Sequence, residues 1–198
     1  MKLEGNDHNK QAIQSAIKNI LESIGEDVNR EGLLDTPKRI SELYSELFSG
    51  IGKDPQEFLE IGFSENYYDP ILLTNISFFS ICEHHLLPFI GRVDIGYIPQ
   101  GKVVGVSKLA RVVDVLSKRP QMQERLTSQI ADIIITSLDA LSVFVVVSAE
   151  HMCMTLRGVE KAGAYLTTFA ERGDSEGINK LRIGIYAESP NRLENLDD

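Results

Sequence analysis

Near the start of the chain, apolar residues recur at helical spacing. Ile13, Ala16, Ile17, Ile20, Leu21 and Ile24 form one stripe over residues 9 to 24, and Gly25 follows as a stop signal. Thr36 followed by Pro37 reads as an N-cap and a residue suited to the first helical turn; Ile40, Leu43, Tyr44 and Leu47 then make a second stripe before Gly50. Residues 1–70 are therefore predicted to be a helical N-terminal segment. It ends in the polar, aromatic stretch SENYYDP, with Pro70 at the boundary.

From residue 71 the period changes. ILLTNISFFSIC and GRVDIGYIP are strand-like runs joined by a loop containing Pro88, which predicts a β-hairpin. Residues 107 to 117 put Leu109, Val112, Val113 and Leu116 on one helical face. After Pro120 a longer helical pattern runs through Leu126, Ile130, Ile133, Ile134 and Leu138. SVFVVVSAEHMCM reads as a buried strand, and the weaker runs AYLTTFA and LRIGIYA are expected to complete four or five strands. The predicted class is α+β, with the order ββααββ over residues 71–198.

Composition narrows the function classes. The formal charge of −9 argues against nucleic acid or anionic membrane as partners, because both require a net basic face. No apolar run approaches the roughly 20 residues of a membrane span, and MKLEGNDHNK lacks the apolar core of a leader, so a cytoplasmic location is expected. Two cysteines are too few for a disulfide scaffold, and their meaning lies with their neighbours.

Those neighbours are histidines. Cys82, Glu83, His84 and His85 stand at the end of the first strand, and His151 and Cys153 at the end of the third, so both cysteines fall in two His-containing clusters. Zinc takes thiolate and imidazole ligands, and three protein ligands with one open position is the catalytic arrangement. Cys82, His85 and Cys153 supply such a set. Spacing alone does not choose His85 over His84. His151 and Cys153, two apart on a strand, are expected to face one pocket, leaving His84 and His151 for proton transfer. Other readings of the same residues are buried apolar thiols, a disulfide, or a closed structural site that uses both His84 and His85.

Basic residues stand out against the acidic background. Lys108 and Arg111, three apart, share a face at a helix start where Ser107 is placed to cap, a combination suited to binding phosphate. Lys118 and Arg119 fit a solvated face, and Arg157 follows the second cluster. By composition alone Glu124 is a surface carboxylate.

The segments REGLLDTPKRI, CEHHLLPF, YIP, SKLARVVD, QMQERLTSQIAD and HMCMTLRGVEK, in this order, resemble GTP cyclohydrolase I. The resemblance implies a tunnelling fold, an antiparallel four-stranded sheet with two long helices, assembled as a homodecamer of two pentamers with sites between subunits. It implies zinc on Cys82, His85 and Cys153, catalytic roles for His84 and His151, and guanine recognition by Glu124 with Gln123 beside it among the substrate contacts. It further implies triphosphate contacts at Ser107, Lys108, Arg111 and Arg157. The implied reaction is hydrolysis of GTP: zinc-activated water attacks C8, formate is lost, and rearrangement gives 7,8-dihydroneopterin triphosphate, which begins folate and pterin synthesis. After Lys161 the chain departs from the family pattern, with Ala164 at an expected serine and Ile183 and Gly184 after Arg182 in place of Glu and Phe. Alternative expectations are a paralogue that stops at a ring-opened intermediate and a non-catalytic, zinc-stabilised nucleotide-binding ring protein.

Overall fold

The structure, a computed structural model, describes residues 9–188; the N-terminus read as lacking a leader lies outside them. The described residues form two compact units that divide between Lys53 and Asp54.

The first unit is a helix pair, α1 (Lys10–Ser23) and α2 (Thr36–Leu47). Asn9 caps α1 by accepting from the Ala12 N–H at 3.0 Å, and Gly25 leaves the helix at φ +91°. The Gln14 side chain donates to Ser41 Oγ at 3.2 Å, tying the two helices together. Two expectations change. Asp35 rather than Thr36 is the N-cap of α2, because the chain is already helical at Thr36. Of the predicted α1 stripe only Ile17 is buried, while Ile20 and Ile24 are exposed.

The second unit opens with a 3-10 turn at Pro55–Phe58 and then runs β1 (Phe63–Ser64), β2 (Ile71–Cys82), β3 (Pro88–Ile98), β4 (Lys102–Val103), α3 (Val106–Ser117), β5 (Pro120–Gln121) and α4 (Gln123–Leu138). It continues with β6 (Ser142–His151), the single helical turn α5 (Met152–Thr155), β7 (Tyr165–Gly173) and α6 (Ser175–Glu188). The main sheet has the order β5-β2-β3-β6-β7; its four long strands pair antiparallel, and β5 runs parallel to the end of β2. The long elements follow the predicted ββααββ order. Pro88, expected in the hairpin loop, instead opens β3.

Strand alternation divides the core in two. Val143, Val145 and Val147 of β6 join Val93, Ile95 and Tyr97 of β3 against Leu109, Val112, Leu116, Leu126, Ile130 and Ile134 of α3 and α4. Phe144 and Val146 face the other way, toward Leu181 and Ile185 of α6. This explains the unbroken apolar run in β6: both faces of the strand are covered.

The second face corrects an expectation. LRIGIYA is not a strand but part of α6, whose buried Leu181 and Ile185 are four apart, the helical period. The helix start is fixed by Asp174, whose Oδ1 accepts from the Gly177 N–H at 2.8 Å while Oδ2 accepts from Ser142 Oγ at 2.7 Å. Leu181 is fully buried. Leu181→Ala is expected to cost about 2–5 kcal/mol in urea unfolding. A loss within error of zero would show that α6 does not pack there.

Candidate active site

The site is built where β2 and β6 end and β3 and α4 begin. At the end of β2 the chain turns back on itself. The Cys82 carbonyl accepts from the His85 N–H (3.3 Å) and the Leu86 N–H (2.9 Å), Cys82 N–H donates to Leu87 O (2.8 Å), and Leu86 takes φ +53°. This tight turn brings His85 back over Cys82, with Nδ1 3.7 Å from Sγ. β6 ends at His151, the residue paired with Phe89 near the start of β3. Cys153 therefore does not lie on a strand, and alternation does not explain its position. It sits on the helical turn α5, closed by Leu156 N–H to Met152 O at 2.9 Å.

The ligand atoms of Cys82, His85 and Cys153 all lie within 4.8 Å of one another; among the described residues His84 is not part of this group. Both cysteines are free thiols. A tetrahedral zinc with the usual bond lengths places sulfur and nitrogen ligands about 3.6 Å apart, so the Cys82–His85 separation of 3.7 Å suits it. The electrostatics agree. Burial and the adjacent Cys82 sulfur push the Cys153 thiol up from its ordinary pKa, and Arg157 acts weakly the other way. A thiol whose ionisation is opposed by burial and a neighbouring sulfur is a donor that a dication would stabilise as thiolate. The residues present therefore fit a metal of the zinc type.

Behind this group stands His151. Its ring stacks on Phe89 with centroids 4.6 Å apart and planes 1° from parallel, and its Nε2 is 2.8 Å from Gln123 Oε1. Burial pushes its imidazole pKa down, and Glu124 in the first turn of α4 opposes that. Glu124 is exposed and near enough for its charge to act on His151, whereas Gln123 is buried and its amide is held by protein groups. Gln123, expected among the substrate contacts, is buried and turns its side-chain oxygen to His151.

Sequence reading missed two supporting features. Arg125 grips Glu83 in a two-pronged pair, Nη1 to Oε2 at 2.5 Å and Nη2 to Oε1 at 3.0 Å, and this ties the Cys82–His85 turn to α4. The pair holds the Glu83 carboxyl below its usual pKa range. Phe89, inside CEHHLLPF, gave no sign of its ring contact; only its register opposite His151 would have suggested one.

The basic residues do not all gather. Arg157 lies near Cys153. Ser107 and Lys108 are in the first turn of α3, where Gly105 rather than Ser107 is the N-cap, and Arg111 is one turn on, its guanidinium 5.7 Å over the Phe58 ring. The segment leading into that helix is anchored far from the metal ligands, since the Val104 N–H donates to the Tyr97 hydroxyl at 3.4 Å. Tyr97 is eight residues up β3 from Phe89, about 27 Å at strand rise. Within one chain the start of α3, with Ser107 and Lys108, is therefore at the opposite end of the sheet from the metal group, and α3 runs back toward it, ending where the Ser117 carbonyl accepts from Ser80.

The family model for GTP cyclohydrolase I matches residues 13–188. The chain belongs to the GTP cyclohydrolase I family. It is 56% identical over 166 residues to the GTP cyclohydrolase 1 of Bacillus subtilis (strain 168), covering 83% of this chain and 87% of that one. It is 54% identical over 166 residues to the GTP cyclohydrolase 1 of Streptococcus pyogenes serotype M5 (strain Manfredo), covering 83% and 86%. A solved archaeosine synthase QueF-Like chain in the apo form aligns with 56% of this chain and 97% of its own, at TM-score 0.41 and 16% identity. The family's activity, hydrolysis of GTP to 7,8-dihydroneopterin triphosphate, is the activity of this enzyme. Neither the arrested paralogue nor the non-catalytic ring protein is the reading that follows. Of the departures after Lys161, Ala164 lies just before β7 and Ile183 and Gly184 lie in α6; both elements still form and pack. Among the described residues no helix is long and apolar enough to cross a membrane.

Proposed function

We propose that this enzyme carries out its reaction on a zinc ion held by Cys82, His85 and Cys153, with the fourth position open to water. The supporting observation is the convergence of exactly those ligand atoms within 4.8 Å, without His84. When bound, zinc supplies the Lewis acidity that makes water a nucleophile at neutral pH. The rest falls to side chains. His151, partly buried and ring-stacked, delivers a proton to the imidazole-ring nitrogen of the purine and so makes C8 electrophilic, with the exposed His84 assisting. Glu124 accepts hydrogen bonds from the guanine N–H groups, and Arg157 meets the triphosphate.

Ser107, Lys108 and Arg111 bind the triphosphate as well, but from a second copy of the chain. The position of the α3 start at the far end of the sheet from the metal ligands supports this reading. Large apolar side chains left bare on the single chain, including Ile20 and Ile24 of α1 and Phe169 of the edge strand β7, support burial between copies. We read the assembly as a homodecamer of two pentamers. We place it in the cytoplasm, where thiols stay reduced.

Incubating the zinc-loaded protein with GTP should give formate together with the absorbance and fluorescence of oxidised neopterin; formate without neopterin would contradict the complete reaction. Glu124→Ala is expected to lose most of the preference for GTP over ATP, because the guanine N–H groups then lack their acceptor, at a cost of about 1–3 kcal/mol. Discrimination equal to that of the unaltered enzyme would remove Glu124 from base recognition.

A further inference from the structure

The orientation of the Gln123 amide can be worked out from its neighbours. Thr127 Oγ1 donates to the backbone oxygen of Gln123 at 2.7 Å, which uses its only hydrogen. In the 2.6 Å contact between Thr127 and Thr168 the donor is therefore Thr168. Having given its hydrogen there, Thr168 Oγ1 meets Gln123 as an acceptor. The side-chain atom of Gln123 facing Thr168 (3.1 Å), Val147 O (3.0 Å) and Leu166 O (2.9 Å) must then be the nitrogen. A flipped amide would press its oxygen against two carbonyl oxygens in a site that is only 1% exposed.

The oxygen end is left for His151. Oε1 carries no hydrogen, so its 2.8 Å bond to His151 requires the N–H on Nε2. A neutral imidazole has one N–H, and its lone pair is then on Nδ1. The ring cannot tilt freely, because it lies flat on Phe89. Gln123 thus fixes which nitrogen is available, and Phe89 fixes the plane in which it points.

We propose that Gln123 is a positioning residue that holds His151 in the Nε2–H tautomer, so that proton exchange with the purine passes through Nδ1. This rests on the reading of His151 as the proton-transfer group. It removes Gln123 from the substrate contacts: its effect on the reaction runs through the imidazole.

The tautomer can be read directly on the zinc-loaded, full-length protein labelled with nitrogen isotope in histidine, above neutral pH, with His151→Ala identifying the signal. Correlations between ring nitrogens and ring carbon-bound protons should show Nε2 protonated and Nδ1 bare. A protonated Nδ1 overturns the inference, and this arm needs no variant at Gln123. Gln123→Met should lower kcat at least about tenfold, leave the GTP dissociation constant unchanged, and give a mixed tautomer signal. Weakened GTP binding by the same factor as the rate loss would make Gln123 a substrate contact and overturn the inference. Full formate release by His151→Ala would overturn proton exchange through Nδ1 along with the reading beneath it, whereas the spectrum tests the tautomer separately.

Discussion

Cys153→Ala is expected to lose its zinc on modest chelation and to release formate at less than about a thousandth of the unaltered rate. Losing several kcal/mol of Lewis-acid stabilisation is a loss of that order. The reason is geometric. Cys153 is one of the three converging donor groups, and among the described residues its turn α5 is what brings a donor from the β6 side to the Cys82–His85 turn. With it gone, a thiolate and an imidazole remain, too few for tight binding. The fold should survive, because Cys153 is only partly buried and packs at the edge of the core rather than within it. Zinc content by mass spectrometry after dialysis against a chelator, with formate release on the same samples, checks both halves. Retention of one zinc per chain with full turnover would exclude Cys153 as a ligand.

His151→Ala separates metal from proton. The variant should keep its zinc, since His151 is outside the ligand group, and yet lose about 10²–10⁴-fold in formate release, the range expected for a positioned acid–base group. Removing the ring also frees the Gln123 oxygen and uncovers Phe89, so a modest loss of thermal stability is expected too. Parallel zinc analysis and rate measurement test this. Zinc lost together with activity would make His151 a ligand or its support, and activity retained would take it out of the chemistry.

Much of the architecture could be read from periodicity because burial on it is one-sided. α3 and α4 show clean apolar stripes in sequence and bury those same residues against the sheet, Ile133 only partly. The failures have physical causes. α6 was mistaken for a strand because Leu181, Ile183 and Ile185 alternate as well as repeat every four. Only its packing, with Leu181 and Ile185 inside and Ile183 out, chooses between the two periods. The α1 stripe overstated burial because Ile20 and Ile24 stay exposed on a single chain. Pattern shows that a face is apolar, not what covers it.

At the site, residue type carried most of the information. Paired Cys and His clusters at two strand ends were enough to suggest a metal, but both histidines reach the Cys82 sulfur, His84 Nδ1 at 3.9 Å and His85 Nδ1 at 3.7 Å, and only the ligand atoms of His85 also converge with Cys153. Cys153 was placed near His151 for the wrong reason, alternation on a strand that in fact stops at His151. The distance between the anion group and the metal group was invisible in sequence, because it depends on α3 returning along the sheet from the Tyr97 end. So was the grip of Arg125 on Glu83, which joins residues 42 apart. Nothing in one linear sequence marks such a pair.

The open metal centre is the claim on which the rest of the chemistry depends, and X-ray absorption at the zinc edge of the loaded protein tests it most directly. The expected spectrum has two sulfur ligands at about 2.3 Å, a single imidazole at about 2.0 to 2.1 Å and one further light atom that exchanges with solvent. Two sulfurs with two imidazoles and no exchangeable ligand would mean that His84 closes the tetrahedron, and would contradict the account.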